Sequence, residues 1–353
     1  MKIRAFPAYM NNSGCGYHRV HLPFMYSSQW LDNDAYKGFC VEKMLDYMAK
    51  SQLVVYNRYF PLGLDRLNDE RDKHGFKVIC DLDDWLDLPD YHPNFKEYKH
   101  WSKENIIKSM RSADAVTVST ARLADRVKEF NKNIYVLPNA LPYPKDGMLP
   151  YGSGQFIVKR RKENELFTFV YTGQVSHIKD VTLLKPAFGR LRKDKSMRVM
   201  LAGYKPNRFW NQMEEVFSIA PNYKRIDQLP LNTYMDVYND ADCALVPLCD
   251  NFFNAHKSNL KVLEAAAKKI PCIVSHVPPY SDDKDAPVMW VKKPGDWQSH
   301  MKYLCENRTF AKDMGQALFE WASKKYNLFH WTKVRGEVYK DVLKTYQELK
   351  LTA

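Results

Sequence analysis

Seven cysteines, at positions 15, 40, 80, 243, 249, 272 and 305, form no CxxC pair. An odd count without metal-ligand or disulfide spacing excludes a disulfide frame or a structural zinc site, and it points to a reducing compartment. Cys80, Cys243 and Cys272 fall in apolar, strand-like runs, where a free thiol behaves as a small hydrophobe. No window approaches 18 unbroken apolar residues, so no segment is expected to span a membrane. The segment Met1 to Pro7 lacks the basic start and apolar run of a signal peptide, and the expected location is the cytoplasm. Disorder is excluded by a hydrophobic content of 45%. At 353 residues the chain exceeds one ordinary core and suits two domains.

A formal net charge of +12 raises the question of a nucleic-acid partner. Residues 1–150 carry 21 Lys+Arg against 19 Asp+Glu, whereas residues 151–353 carry 32 against 22. Between Lys159 and Arg208 stand 13 basic and 4 acidic residues. That stretch is either a solvated basic surface or a contact for a polyanion.

Short apolar, β-branched runs alternate with longer helical stretches, the pattern of βα units around a parallel sheet. Expected strands are 2–8, 38–41, 53–58, 77–82, 115–119 and 134–138, then 167–173, 197–203, 223–228, 242–248, 271–275 and 288–292. Six and six predict an α/β protein of two doubly wound, Rossmann-like domains. The proline- and glycine-bearing segment 143–165, with Lys159-Arg160-Arg161-Lys162, reads as a linker between domains 1–142 and 166–330. Residues 331–353 have helical periodicity and form a closing helix.

Ligands of open α/β sheets collect at the carboxyl ends of the strands, and four loops there carry chemistry. The first is His256-Lys257-Ser258-Asn259-Leu260-Lys261-Val262-Leu263-Glu264-Ala265-Ala266-Ala267. Ser258 is a plausible N-cap, and free amides at the helix start beside Lys257 suit a diphosphate. Glu264 lies about two turns inside, where a carboxylate can accept two ribose hydroxyls. An ordinary amphipathic helix with a solvated glutamate accounts for the same residues.

This segment resembles the donor-binding signature of the large retaining GT-B glycosyltransferase family: an acidic residue, seven residues, a glutamate, then a small-residue helix. Glu264 matches the second acid, Lys268-Lys269-Ile270-Pro271 stands at the following strand, and His256 replaces the first acid. The resemblance implies that Glu264 holds the donor ribose, with His256, Lys257, Ser258, Asn259 and Leu260 around the donor. The variant K-S-x-L-K-x-L-E is similar to a subset found in tailed phages and in bacterial glycan clusters.

The second loop, Tyr171 to Asp180, resembles the family's G-x-x-x-x-x-K loop, with Gly173 and Lys179 in place and Gln174 where an arginine is usual. Lys179 and Lys257 are therefore expected to face the diphosphate as catalytic cations. The third, Cys80-Asp81-Leu82-Asp83-Asp84-Trp85, ends a strand. Its carboxylates suit a metal, acid–base chemistry or simple turn capping, and alternation along a strand puts Asp81 and Asp83 on one face. The phage-like subset resembles it, which implies acceptor contacts from Asp81, Asp83, Asp84 and Trp85, catalytic roles for Asp83 and Asp84, and no metal. The fourth, Asn12 to Arg19, implies donor contacts from Gly14, Gly16 and Arg19, with His18 read as an exposed loop residue. Val136-Leu137-Pro138-Asn139-Ala140 resembles the V-x-P-N-G at the exit of the first domain.

The implied fold is GT-B, with the closing helix crossing back to the first domain. The implied activity is transfer of a sugar from a nucleotide diphosphate, UDP-sugar in the first instance, to a hydroxyl with retention and without a cofactor. The expected acceptor is a hydroxymethylated pyrimidine in double-stranded DNA, in the host cytoplasm if phage-encoded, with Trp85, Tyr91, His92 and Trp101 available to stack on a flipped base. A surface or lipid-linked glycan acceptor, or a non-catalytic sugar- or nucleic-acid-binding relative, is the alternative.

Overall fold

The computed structural model describes residues 1–7, 13–28, 31–38, 40–97, 102–143, 154–159 and 165–351. Asn12, Trp101, most of the linker and the basic residues Arg160, Arg161 and Lys162 lie outside the described residues.

Two six-stranded parallel sheets carry the molecule. The first has β1 (Lys2–Phe6), β2 (Asp32–Ala35), β3 (Leu53–Asn57), β4 (Lys77–Leu82), β5 (Ala115–Val118) and β6 (Ile134–Val136), in the order β2-β1-β3-β4-β5-β6. The second has β7 (Phe167–Thr172), β8 (Met197–Tyr204), β9 (Lys224–Asp227), β10 (Cys243–Val246), β11 (Cys272–Ser275) and β12 (Met289–Val291), in the order β12-β11-β10-β7-β8-β9. The central strands are buried on both faces, as in the all-buried run Leu53–Asn57, because helices cover both sides of a parallel sheet. Strand order reverses between β1 and β3 in one sheet and between β7 and β10 in the other, which opens a crevice at the carboxyl ends of each.

Eleven strands fall on expected segments; β2 does not. The expected run 38–41 leads instead into the helix Val41–Ala49, and the edge strand is Asp32–Ala35. An edge strand is held by one neighbour's ladder, here Lys2↔Asp32 to Ala5↔Ala35, so a polar stretch without β-branched residues suffices.

The closing helix, Leu328–Leu351, returns to the first domain as expected. Tyr339 and Val342 are buried there with Ile3, Ala5 and Phe24. All seven cysteines are free.

Candidate active site

The two carboxyl-end crevices face each other and form one cleft of about 630 Å³. Its second-domain wall is built on the helix Leu260–Ala267, whose residues Val262 to Ala267 are all buried. The first N–H groups of a helix have no partner inside it. Asn259 holds the cap position without a side-chain bond to those amides, and its amide side chain donates instead to Asp283 Oδ2 at 2.6 Å. Ser258 lines the cleft but is not the cap that the sequence suggests; its hydroxyl accepts from Asn139 Nδ2 across the domain boundary at 2.7 Å. Leu260 and Lys257 also line the cleft.

Glu264 is buried at the cleft rather than solvated. Tyr234 donates to Oε1 at 3.0 Å and Tyr238 to Oε2 at 2.8 Å. Burial raises its pKa against the opposing pull of Lys261 and the two phenols. Each oxygen of a carboxylate accepts two hydrogen bonds, so each retains a position for a ligand.

The first-domain wall begins with one helical stretch whose turns run Gly14–Gly16, Tyr17–His21 and Leu22–Ser27, the middle one a π-helix. Such wide turns inside α-helices often mark functional sites. Ser13 caps the stretch by accepting from the Gly16 amide at 3.0 Å. Gly14 lines the cleft, while Gly16 is buried in the turn behind it and does not. The π turn buries His18, Arg19 and Val20 in succession, so His18 is not the exposed loop histidine expected. Its Nε2 lies 3.0 Å from the Tyr234 hydroxyl and 3.9 Å from Glu264 Oε1. Burial, aided by Arg19 and opposed by Asp83, pushes its pKa down to about 3, which keeps the ring neutral.

Arg19 lines the cleft, whereas Asp81 does not and leaves the expected acceptor set. Arg19 donates to Asp81 through Nε at 3.0 Å and the second guanidinium nitrogen at 2.7 Å, and to the Leu137 carbonyl at 2.6 Å and Asn139 Oδ1 at 3.1 Å. Asp81 also accepts from Thr117 at 2.6 Å and Asn57 at 3.0 Å. The pair is 1% exposed on each side, and four of the five guanidinium N–H groups are engaged within the wall.

Because β4 ends at Leu82, alternation stops there: Asp83 and Asp84 both line the cleft and Asp81 does not. Arg58, in the left-handed region at φ 66°, forks onto Asp83 at 2.8 and 3.1 Å and reaches Asp84 at 3.4 Å. Burial works to raise the Asp83 pKa, but Arg58, with Arg19, holds it below the usual carboxylate range. Lys257 Nζ lies 3.6 Å from Asp84 and 4.4 Å from the Phe253 ring centroid.

Trp85 is buried, stacked on Phe130 at 6.2 Å under the Arg126 guanidinium at 4.9 Å, so it offers no face to an acceptor. His256 is buried beside it, with Nδ1 2.7 Å from the Phe252 carbonyl, and does not line the cleft. The His256 ring therefore fills a contact between the domains instead of meeting a sugar. Gly173 and Gln174 line the cleft as expected. A Cβ on Gly173 would stand 2.4 Å from the Tyr171 hydroxyl, so a side chain there requires Tyr171 to shift. Lys179 is exposed outside the cleft wall, its Nζ 5.9 Å from the Tyr91 ring centroid.

Lys261 and Asn139, which the motifs contain without an assigned role, and Arg58, Tyr234 and Tyr238, which no motif contains, are further site residues. Lys261 points across to the β7 loop and donates to the Thr172 carbonyl. Among the described residues no group of three His, Cys, Asp or Glu is placed to hold a metal, and no helix is long and apolar enough to cross a membrane.

The basic stretch divides. Lys205 lines the cleft, and exposed Arg208 follows close by. Arg190, Arg192, Lys193 and Lys195 instead lead into the start of β8, at the far end of the sheet. Lys159 lines a separate hollow of about 300 Å³ with Lys268, Lys269 and Arg308, beside the start of β7.

Residues 167–307 match the family described as Glycosyl transferases group 1. That match lies in the second domain, and the two facing Rossmann-like sheets are those of the GT-B fold. No curated protein matches the sequence. Among solved structures, the sucrose-phosphate synthase of Thermosynechococcus elongatus superposes with a TM-score of 0.68 at 14% identity, over 98% of this chain and 100% of that one. Anabaena HepE in complex with UDP gives 0.64 at 9% identity, over 97% and 100%. An α-glucosyltransferase in complex with UDP and a 13-mer DNA gives 0.66 at 11% identity, over 96% and 99%. At such identities the likeness carries the fold alone.

Proposed function

We propose that the protein transfers a sugar with retention from a uridine diphosphate donor to a hydroxyl acceptor, without a metal. The observation that carries this reading is Glu264: a buried carboxylate at the cleft with one free acceptor position per oxygen, about one turn below the open amides of the helix start. That arrangement suits ribose hydroxyls on the carboxylate and a diphosphate at the helix start. In the transfer, the bond from the anomeric carbon to the phosphate oxygen breaks and its electron pair stays on the leaving diphosphate. The acceptor oxygen bonds to the carbon on the same face, and its proton passes to the leaving phosphate. The protein's part is to stabilise the charge gathering on that diphosphate and to exclude water between the two domains. Two of the structural neighbours are described as complexes with UDP, which supports the choice of nucleotide.

For the acceptor we carry forward a hydroxymethylated pyrimidine in duplex DNA. Lys205 at the cleft, with exposed Arg208 three residues on, favours a phosphate backbone there, and one neighbour of the same fold is described with DNA bound. Tyr91 and His92, half-buried on the first-domain side, are the remaining rings for stacking.

The test is calorimetry with UDP, followed by a transfer assay in EDTA on hydroxymethylated and plain duplex DNA across a salt series. Glu264→Ala is expected to weaken UDP binding by about 1.5–3 kcal/mol, the cost of hydrogen bonds to a charged group. Unchanged UDP affinity in a folded variant overturns the ribose role, and restoration of transfer by added magnesium or manganese overturns metal independence. Transfer to a glycan but not to modified DNA moves the acceptor to the glycan.

A further inference from the structure

We propose that Lys261 is the cation that meets the donor diphosphate, standing in for the charge that Gln174 does not supply. The proposal rests on the nucleotide-donor reading above and assigns a residue of that site.

Three lysines of the two donor-side segments compete for the role, and their surroundings differ. Lys179 is exposed and leans over Tyr91. Lys257 lines the cleft but lies 3.6 Å from Asp84, so part of its charge is already met. Lys261 also lines the cleft, and among the described residues its ammonium meets no carboxylate within ion-pair distance; its hydrogen bond is to the neutral Thr172 carbonyl. Lys261 is half-buried, and an ammonium drawn out of water without an anion is costly to keep. Burial and the nearby Lys257 push its pKa down to about 8, against the pull of Glu264 and Asp180.

The position fits a diphosphate. Lys261 stands one turn before Glu264, and residues three apart share a helix face. A sugar nucleotide with its ribose on Glu264 therefore brings its phosphates toward the helix start and Lys261. On the other side is Gly173: a Cβ there would lie 3.1 Å from Lys261 Nζ. The missing side chain keeps the β7 loop backbone and the lysine against the same small space, with Gln174 next in the chain. The cation is thus carried on the helix facing the loop rather than on the loop itself. During transfer Lys261 keeps its proton; the electron pair of the breaking bond moves onto the phosphate oxygen beside it, where the ammonium offsets the new charge.

The experiment compares Lys261→Met and Lys261→Arg with the wild type, each checked for its fold by circular dichroism. Calorimetry with uridine and with UDP at pH 6.5 to 9.5 separates nucleoside from phosphate recognition. Uridine affinity is expected to stay within about twofold in Lys261→Met, while UDP affinity falls about tenfold to a hundredfold and turnover about 10²-fold or more. Wild-type UDP affinity is expected to fall as pH rises through about 8, where the phosphate, with a pKa of about 6, no longer titrates. That limb disappears in Lys261→Met and moves beyond the range in Lys261→Arg, which regains most of the affinity. Wild-type UDP affinity in Lys261→Met, or an alkaline limb unchanged by the substitution, overturns the proposal while leaving the nucleotide reading intact. Failure of the wild type to bind UDP removes both.

Discussion

The two walls of the cleft bury charge in opposite ways. On the first-domain side each guanidinium is matched by carboxylates: Arg19 with Asp81, Arg58 with Asp83 and Asp84. On the second-domain side Lys261 rests on a carbonyl and Glu264 on two phenols, and neither is within ion-pair distance of the other. A buried pair that satisfies itself shapes a wall and has little left for a ligand. A buried charge with only neutral partners is held in place by the fold at a cost, which is the condition expected of a group awaiting a substrate. Sequence motifs of similar appearance, a D-x-D-D and a K-x-L-E, thus divide into a structural and a binding role according to what stands opposite.

The largest expected effect breaks the matched side. Arg19→Met strands Asp81 as a buried charge, and the cost of removing one partner of such a pair is about 3–5 kcal/mol, read as a lower urea midpoint. The double variant Arg19→Met with Asp81→Leu is expected to recover part of that loss, because no unpaired charge remains. A single-variant loss below about 1 kcal/mol would show that the pair does not hold the wall, and the contrast between the two sides would fail.

A smaller effect sharpens the contrast where the walls touch, at His18. In the folded chain burial keeps this ring neutral down to about pH 3, whereas an unfolded histidine takes up a proton below about pH 6.5. The folded pKa is the depressed one, so the unfolded state gains the proton first and stability is lost as pH falls from about 6.5 toward 3. The slope is at most about 1.4 kcal/mol per pH unit, or roughly 2 kcal/mol between pH 7 and pH 5. His18→Gln is expected to remove that share of the acid loss. Burial also depresses His21 and His92, each to about 4, but the difference between wild type and variant isolates His18. Parallel stability curves would mean that His18 is accessible to protons in the folded chain.

Much of the architecture is legible in the chain because doubly wound sheets need continuous apolar strands: Leu53–Asn57 and Phe167–Thr172 are visible as such. The strand Asp32–Ala35 is not, since its ladder and not its side chains makes it a strand. Glu264 is legible through its motif, but its burial is not: the helix is covered on nearly every face, and the side read as solvent is the cleft. For the same reason Lys261, the lysine of the K-x-L-E motif, is legible by position, but its place against the Thr172 carbonyl is not. Asp81 and Asp83 look equivalent until β4 is seen to stop at Leu82. Trp85 reads as a stacking platform because aromatics at loops often are, and only Phe130 and Arg126, distant in the chain, put it in the core.

Lys179 gives the smallest expected effect and the sharpest check on where the second-domain side ends. It matches the family's loop lysine by position, yet its side chain lies outside the cleft wall, exposed, with Nζ 5.9 Å from the Tyr91 ring centroid. A cation over an aromatic ring at an exposed site is worth about 0.5–1 kcal/mol, and Lys179→Ala forfeits little else. UDP affinity and turnover at saturating donor are expected to stay within about threefold of wild type, with stability changed by less than about 1 kcal/mol. Steady-state kinetics alongside Lys257→Ala makes the comparison direct, because Lys257 lines the cleft and Lys179 does not. A hundredfold loss of turnover in Lys179→Ala would mean that the Tyr91 contact opens and the loop after β7 swings its lysine onto the donor. The uncompensated charge of the second domain would then include this loop, and Lys261 would share the diphosphate with it.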